Sequence, residues 1–312
     1  METLQIIIPE RMIDKRIDLA LSEMLPDYSR SKVTAWIKSG DALINKKKFK
    51  PKDKVSGNEM VFLTLTQKDN NYWLPEKIDL NIVYEDDHII VINKPFGLVT
   101  HPGAGNLNGT LANALLYHDS SLSNLDRSGI VHRLDKNTSG LMVVSKNLKS
   151  QKFLVDQMQN HLVEREYSAI VYGHMISGGS INEPIGRDSK DRVKQTISAN
   201  GKEAISHYRV IDRFKSHTHV KVVLETGRTH QIRVHLSYIG HPLIGDPMYG
   251  GRVRFPKKAN TKLKHTLSHF DRHALHSKKL TLDHPATGES MTWKANLPDD
   301  MQVLLSSLKE FD

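Results

Sequence analysis

The residues that decide the fold form the stretch Gly129-Ile130-Val131-His132-Arg133-Leu134-Asp135-Lys136-Asn137-Thr138-Ser139-Gly140, which places one acidic side chain in a basic, polar turn. The apolar run at 141–144 follows directly and predicts a buried strand. The positive charges of Arg133 and Lys136 keep the carboxylate of Asp135 ionised, so it suits a nucleophile or base better than an acid. The same pattern also fits a structural Asp in an Asx-turn, and the short motif alone leaves both interpretations open.

Composition narrows the class of protein. The chain of 312 residues carries a formal net charge of +9 and is long enough for two domains. This charge favours a polyanionic partner, although it does not separate RNA from DNA or from an acidic membrane. The absence of cysteine excludes disulfides, thiolate zinc sites and cysteine nucleophiles. Because there is no apolar run of about 18 residues and no signal-peptide pattern after Met1, we expect a cytoplasmic protein without a membrane partner.

A polar break at residues 67–71 separates two different parts of the chain. It follows the apolar alternation at 60–65 and precedes a strand-like segment at 78–84. We therefore expect a small domain over residues 1–66, a linker over 67–77 and a larger domain over 78–312.

The small domain is predicted to contain two short helices and a pair of strands. Apolar residues recur at helical spacing from Ile17 and stop at Pro26, and Ser29 stands at an N-cap position before a second helix over 30–39. Short strands are expected at 42–45 and 60–65. Basic side chains then form either a platform for nucleic acid or an ordinary solvated surface. These side chains are Arg30, Lys32, Lys46, Lys47 and Lys48.

The larger domain alternates short strands with fewer helices. Strands are predicted at residues 89–93, 141–144, 167–172 and 220–224, and helices at 110–118, 147–160 and 229–240. Because several strands follow one another without an intervening helix, we expect an α+β fold built on a mixed, largely antiparallel sheet. Residues 250–264 are rich in Arg and Lys and almost free of apolar residues, which predicts a mobile basic loop.

Two further segments of the larger domain carry candidate chemistry. Residues 225–233 end a strand, turn and open a helix for which Thr229 is a candidate N-cap. Arg233 flanks the apolar stripe of that helix, where it either reaches a partly buried partner or stays at the surface. Tyr167 lies on a predicted strand with the residues two and four positions on, and the pattern alone indicates a core residue.

A row of histidines forms a competing constellation. His265, His269, His273 and His276 are spaced four, four and three residues apart, so on a helix they would share one face, as helical metal ligands do. No carboxylate completes the set, and lysines and arginines crowd the segment. We therefore expect a positive surface that faces RNA, and no metal site.

The stretch from His132 to Gly140 resembles the signature of the RluA-type pseudouridine synthases, His-Arg-Leu-Asp-Lys-Asp-Thr-Ser-Gly. Asn137 stands where that family usually has Asp, outside the expected catalytic pair. Residues 14–58, and Tyr28-Ser29-Arg30-Ser31 in particular, resemble the S4-like RNA-binding domain. The similarity runs nearly the full length of the chain, as far as residues 284–285.

The resemblance implies a sheet split by a central cleft that holds the active site. It implies Asp135 as the catalytic residue and Arg233 as the ion-pair partner that keeps it charged and aimed. Tyr167 becomes the aromatic ring that stacks on the target base and a candidate acceptor of the C5 proton.

Three more residues are implied to contact the RNA. Ile232 supplies an apolar contact to the target base, and Arg228 is a further RNA contact. Arg133 fills the gap left by a flipped nucleotide, since a uridine inside a duplex cannot be reworked in place. Uridine and pseudouridine are isomers, so the implied reaction needs neither a cofactor nor a metal.

The resemblance also implies a substrate. Residues 102–106 and 245–251 are most similar to family members that modify the helix 69 hairpin of large-subunit ribosomal RNA, so we expect that RNA, or a pre-ribosomal particle, as the partner of a monomeric enzyme. Three alternatives stay open: a family member acting on other large-subunit sites, a non-catalytic RNA-binding ribosome-assembly factor, and a glycosidase-like hydrolase. The hydrolase requires two opposed carboxylates, for which Glu225 and Asp246 are candidates by position.

Overall fold

The fold comes from a computed structural model, which describes residues 2–25, 28, 30–65, 73–103, 105–191 and 193–312. Contacts divide the chain into two compact units, Met1–Tyr72 and Trp73–Asp312, each with a buried core of its own. Three features of the sequence analysis lie outside the described residues. They are the N-cap residue Ser29, the side chain of Lys32 and residues 67–72 of the linker.

The first unit packs two helices against a three-stranded sheet. Its strands are β1 (Glu2–Ile7), β2 (Ala42–Ile44) and β3 (Met60–Leu65), and its helices are α1 (Ile17–Met24) and α2 (Arg30–Ser39). The sheet is antiparallel in the order β1-β3-β2, and the sequence pattern does not predict β1. The apolar stripes of both helices, with Ile17, Leu21, Val33 and Ile37, form one core with Val61 of β3. Helical periodicity therefore decides which faces are buried here.

The second unit contains the remaining elements. Its strands are β4 (Ile82–Glu85), β5 (Ile89–Lys94), β6 (Ser139–Ser145), β7 (Glu164–Tyr172), β8 (Gly179–Asn182), β9 (Ile185–Arg187), β10 (Gln195–Ile197), β11 (Ile205–Arg213), β12 (His217–Leu224), β13 (Leu275–Asp283) and β14 (Ser290–Lys294). Its α-helices are α3 (Leu111–His118), α4 (Leu148–Gln159), α5 (Gln231–Tyr238), α6 (Thr261–Ser268) and α7 (Asp299–Phe311). Nine strands form one sheet in the order β4-β5-β6-β13-β7-β12-β11-β8, with β14 paired to β13, and β9 and β10 form a separate pair.

One parallel pair stands inside the large sheet. β13 runs parallel to β6, with His276 opposite Ser139, and antiparallel to β7 and β14. The other pairings among the described strands of this sheet are antiparallel. The predicted α+β fold with a mixed, largely antiparallel sheet is therefore confirmed. β13 joins two halves of the sheet, β4-β5-β6 on one side and β7-β12-β11-β8 on the other.

Two helices of the second unit begin close to their predicted starts, and each start has a cap. Thr110 and Asn113 form a capping box at the start of α3, where the Thr110 amide donates to Oδ1 of Asn113 at 3.0 Å. Asn147 caps α4 by accepting from the amide of Ser150 at 2.9 Å. Both helices therefore lie within one residue of their predicted ends at the N-terminal side.

The structure corrects the predicted start of one strand and of one helix. The strand predicted over 78–84 begins only at Ile82. The helix predicted from Thr229 begins at Gln231, and its N-cap is His230 in a left-handed conformation with a φ of 58°. Nδ1 of His230 lies 2.8 Å from the hydroxyl of Tyr249, so a tertiary hydrogen bond accompanies the local conformation at which the helix starts. Thr229 is therefore not the cap.

The basic segment over 250–264 is not a loop throughout. Oδ1 of Asn260 accepts from the amide of Leu263 at 2.8 Å and caps α6, which begins at Thr261. Leu263 and Leu267 of this helix are buried in an apolar core, which stabilises a helix despite its basic sequence.

The histidine row does not share a helix face. His265 lies in α6, which ends at Ser268, and His269 follows as its C-cap, with the two rings stacked at 4.0 Å. His273 lies beyond the helix and His276 lies in β13. The shared-face geometry considered for a helical metal site is therefore wrong, because the helix stops before the row is complete.

Candidate active site

A cavity of about 750 Å³ opens in the second unit where β6 and β13 begin and β12 ends. Among its lining residues are all six positions that the resemblance assigns to the synthase site. They are Asp135, Tyr167, Arg233, Arg133, Arg228 and Ile232. His101 and Pro102, from the connection between β5 and α3, also line it.

The turn that carries Asp135 is fixed by contacts to the rest of the unit. The amide of Thr138 donates to the carbonyl of Asp135 at 3.0 Å and closes the turn. Lys94, which is 1% exposed, donates from Nζ to the carbonyl of Lys136 at 3.2 Å and to two carbonyls of the 95–98 loop at 2.9 Å. Burial lowers the pKa of Lys94 to about 7, and the negative charge of Asp135 opposes that shift. Asp135 therefore lies on a rigid support.

Gly140 allows the two central strands to approach closely directly after this turn. Its φ is 114°, and a Cβ at this position would lie 2.2 Å from the carbonyl oxygen of Ser277 on β13. Only glycine satisfies both conditions, the left-handed backbone and the missing side chain. The glycine that ends the signature thus holds the turn against β13.

An arginine between two carboxylates forms the charged centre of the site. Nη1 of Arg233 donates to Oδ2 of Asp135 at 3.0 Å, while Nε and Nη2 form a bidentate pair with Asp246 at 2.7 and 3.0 Å. The side chains of Arg233 and Asp246 are 7% and 0% exposed, whereas that of Asp135 is 17% exposed. The buried aspartate therefore orients the guanidinium, whose third nitrogen, Nη1, donates to Asp135.

Asp246 keeps its charge in this buried position. Burial opposes its ionisation, but the hydrogen bonds and the charge of Arg233 outweigh that effect and hold the pKa of Asp246 below its usual value. Oδ1 of Asp246 also accepts from the amides of Met248 and Tyr249 at 2.9 and 3.1 Å. The carboxylate of Asp246 therefore accepts hydrogen bonds from Arg233 and from the backbone, and its role is structural.

The carboxylate pair that a hydrolase requires is not formed by the two candidates. Asp246 is turned toward Arg233, and Glu225 pairs with His207. Neither Glu225 nor Asp246 is among the residues that line the cavity in the described part of the chain. The geometry therefore does not support the glycosidase-like alternative.

Tyr167 and Ile232 form an apolar part of the cavity wall. Tyr167 projects from β7 into the same core as Ala169 and Val171, in agreement with the strand pattern, and Ile232 belongs to that core as well. Burial raises the pKa of the Tyr167 phenol, and the negative charge of Asp135 acts in the same direction. The phenol therefore stays protonated at neutral pH.

The sequence analysis missed several residues of the cavity. Nε2 of His230 lies 3.8 Å from Oδ2 of Asp135. Burial lowers the pKa of His230, and Asp135 opposes that shift. Its position three residues before Arg233 is the one sequence signal that points to it. Arg127 and Arg165 also line the cavity, and no local pattern marks either of them.

The basic residues expected to bind RNA in the first unit differ in their surroundings. The guanidinium of Arg30 is paired with Asp18 at 2.7 Å, so part of its charge is neutralised. Lys46, Lys47 and Lys48 are exposed, with the ammonium of Lys46 5.9 Å from the ring centre of Phe62. The lysine run therefore provides an open positive surface on this unit.

Two kinds of feature are absent from the described ranges of the chain. No group of three or more His, Asp or Glu side chains there is arranged to hold a metal ion. No helix in those ranges is long and apolar enough to cross a membrane.

Comparison with protein families assigns both parts of the chain. Residues 88–238 match the family described as RNA pseudouridylate synthase, and residues 15–61 match the S4 domain. The first match contains the turn of Asp135, strand β7 and helix α5, which together build the cavity.

Similarity to known proteins extends over nearly the whole chain. It is 50% identical to ribosomal large subunit pseudouridine synthase D of Pseudomonas aeruginosa, over 97% of this chain and 95% of that protein. It is 48% identical to the protein of the same name from Escherichia coli strain K12, over 97% and 93% of the two chains. This chain belongs to the RNA pseudouridine synthase family, and the resemblance of the His132–Gly140 signature is confirmed.

Solved structures agree with this family. The human RNA pseudouridylate synthase domain containing 4 has a TM-score of 0.57 at 27% identity, over 73% of this chain and 93% of that one. The human RNA pseudouridylate synthase domain containing 1 has a TM-score of 0.55 at 23% identity, over 75% and 96%, and it shows the shared fold alone.

Proposed function

We propose that this chain converts specific uridines of large-subunit ribosomal RNA to pseudouridine, with Asp135 as the catalytic residue. The observation that carries the proposal is the carboxylate of Asp135, paired with Arg233 at 3.0 Å in a cavity that Tyr167 also lines. The choice of RNA follows the relatives named as large subunit synthases, which are 45–50% identical. We place the enzyme in the cytoplasm, acting on the RNA or on a pre-ribosomal particle as a monomer.

The reaction exchanges one bond for another within the nucleoside. The bond between C1′ and N1 breaks, the freed uracil rotates, and C5 bonds to C1′, while C5 loses a proton and N1 gains one. Asp135 either attacks C1′ or removes the C2′ proton to give a glycal, and both routes need an ionised carboxylate. Arg233 stabilises that carboxylate by a charge-assisted hydrogen bond and limits the directions in which it can point.

Neighbouring residues bind the flipped nucleotide. The ring of Tyr167 stacks on the uracil, and Ile232 contacts it from the same apolar wall. Arg133 is exposed at the cavity and fills the space that the extruded nucleotide leaves in the RNA. Arg228 adds a positive contact for the RNA backbone.

The role of Asp135 is tested by the variant Asp135→Asn. Loss of the negative charge is expected to abolish conversion of unmodified large-subunit rRNA, while the Kd for that RNA changes by only a few-fold. Asp271→Asn, an exposed aspartate elsewhere in the unit, is the control and keeps full activity. Residual turnover of Asp135→Asn would remove Asp135 from its role. A wild-type protein that binds rRNA without converting it would favour the ribosome-assembly alternative.

The target within the RNA is proposed to be the helix 69 hairpin. Nucleotide-resolution pseudouridine mapping of rRNA from cells that lack the protein is expected to show unmodified uridines in that hairpin. Loss of modification at other large-subunit sites, with helix 69 unchanged, would favour the alternative of a family member that acts on those sites.

A further inference from the structure

Arg165 is a buried cation in the cavity to which neither the motif nor the reaction assigns a task. It lies on β7 two residues before Tyr167, so both side chains leave the same face of the strand. The residue is 7% exposed, and within the described residues its guanidinium makes one hydrogen bond, from Nη2 to the carbonyl of Glu225 at 3.0 Å. Nε is buried without a partner there.

The backbone around Glu225 and Gly227 fixes the position of this guanidinium. A Cβ on Gly227 would lie 2.6 Å from Nη1 of Arg165, so the absence of a side chain leaves room for the charge beside the loop. Gly227 itself lines the cavity. Among the residues that the structure describes, Arg165 is therefore held at the cavity wall by backbone contacts and by no acidic side chain.

The charge of the cavity is unbalanced. Five arginines and one carboxylate are among its lining residues, namely Arg127, Arg133, Arg165, Arg228, Arg233 and Asp135. Arg233 pairs with Asp135, and none of the other four arginines has a carboxylate within 4.0 Å in the part of the chain that the structure describes. Arg165 is the buried one of these four, and burial of an uncompensated charge is unfavourable, so its position favours a ligand that brings negative charge.

We propose that Arg165, with Arg228 beside it, binds a backbone phosphate of the RNA next to the target nucleotide. The proposal rests on the proposed function, because the RNA substrate supplies the phosphate. The phosphodiester is the anionic group of RNA at neutral pH, and a guanidinium binds its oxygens through parallel N–H donors. Two residues along a strand span about 7 Å, which places this phosphate close to the base stacked on Tyr167.

A double-mutant cycle between protein and RNA tests the contact. Synthetic helix 69 hairpins are made in which one phosphate at a time, within two nucleotides of the target uridine, is replaced by a neutral methylphosphonate. At one position we expect kcat/KM of the wild type to fall about tenfold or more, as for the loss of a charged hydrogen bond. Arg165→Gln is expected to show a similar loss on unaltered RNA and a much smaller further loss on that substituted RNA, because only the contact of Arg228 is then left to lose.

Matched variants distinguish the loss of this contact from a general loss of positive charge and from a loss of folding. Arg209→Gln removes an exposed arginine of the same unit and is expected to leave the response to every methylphosphonate unchanged. Gly227→Ala pushes against the guanidinium and is expected to lower kcat/KM in the wild type but not in Arg165→Gln. If thermal unfolding shows that Arg165→Gln does not fold, Arg165→Lys carries the test, since an ammonium does not reproduce the two-point contact.

The outcomes distinguish the two proposals. In the first outcome, the enzyme converts uridine while the losses in kcat/KM from Arg165→Gln and from the methylphosphonate add independently at every phosphate position. That result would overturn the phosphate site and leave the proposed function intact. A wild-type protein that converts uridines neither in the hairpin nor elsewhere in large-subunit rRNA would overturn the proposed function. The same cycle measured on the Kd of the hairpin then still decides whether Arg165 binds the phosphate.

Discussion

At the scale of single residues, the carboxylate of Asp135 depends on a second aspartate that never meets the substrate in our proposal. Asp246 binds two nitrogens of Arg233, and the guanidinium then reaches Asp135 with its third. A buried guanidinium that loses one of its carboxylates keeps its charge and its cost of desolvation. The position of Arg233, and through it the direction of Asp135, therefore depends on Asp246.

We expect Asp246→Asn to lower kcat by about tenfold or more and to destabilise the fold by about 3 kcal/mol, the scale for breaking a buried pair. The amide keeps the size of the side chain but not its charge. Single-turnover kinetics and thermal unfolding measure the two effects, with Asp271→Asn as the exposed control. A kcat within twofold of the wild type would show that Arg233 holds its position unaided.

Local sequence identifies some of these residues and not others. Asp135 stands out because its charged neighbours and the following apolar run are adjacent in the chain. Asp246 lies 13 residues after Arg233, which matches neither helical nor strand spacing, and its partner is defined only by the folded chain. The sequence does not identify Arg165 either, because its lack of a counter-ion is a property of its surroundings in the folded chain.

At the scale of elements, the start of β6 and the start of β13 are joined at Gly140. The left-handed φ and the 2.2 Å approach to Ser277 are two separate reasons why a side chain is not tolerated there. Any movement at this contact is transmitted to the turn of Asp135, which lies five residues earlier in the chain.

We expect Gly140→Ala to lower the free energy of unfolding by more than about 3 kcal/mol, because a backbone clash is added to the strain of a positive φ. Gly97→Ala is the matched control. Gly97 also has a positive φ, of 84°, but nothing lies within 4 Å of the added Cβ, so its loss is expected to stay near 1 kcal/mol. Urea denaturation of both variants checks the difference, and equal losses would show that the clash is relieved elsewhere.

Element boundaries are predictable where local chemistry sets them. Thr110 and Asn147 are capping residues that satisfy the first amides of α3 and α4, and the sequence alone places both helices. The start of α5 is different, because His230 adopts its left-handed conformation while bonded to Tyr249, 19 residues away. A contact of that range leaves no mark on the local pattern.

At the scale of the whole molecule, the lysine run at 46–48 is expected to contribute to RNA affinity and not to chemistry. Replacing Lys46, Lys47 and Lys48 by Gln is expected to weaken binding to large-subunit rRNA and to reduce the slope of log K against log salt by up to about 2. The rate at saturating RNA serves as the internal control and is expected to stay unchanged. An unaltered salt slope would show that these lysines do not contact phosphates.

Buried histidines are expected to make the protein sensitive to acid. Burial lowers the pKa of His101, His217, His273 and His276 to about 4, below their usual value of 6.5. Between pH 6.5 and 4 the unfolded chain therefore binds more protons than the folded one, so the free energy of unfolding falls as the pH falls. Each histidine contributes up to about 1.4 kcal/mol per pH unit in that range.

Urea denaturation at pH 7.5, 6 and 5 tests this expectation. The midpoint is expected to decrease across the series, and His217→Gln, distant from the cavity, is expected to reduce the pH dependence by about one proton. A midpoint that stays constant from pH 7.5 to 5 would show that these rings are protonated in the folded protein as readily as in the unfolded chain.

The place of β13 has a consequence for synthesis on the ribosome. Among the described strands, the half-sheet β4-β5-β6 and the half-sheet that carries Tyr167 are joined through this strand, whose His276 meets Ser139 from 137 residues further along the chain. A nascent polypeptide therefore has no completed site until almost its last segment has emerged.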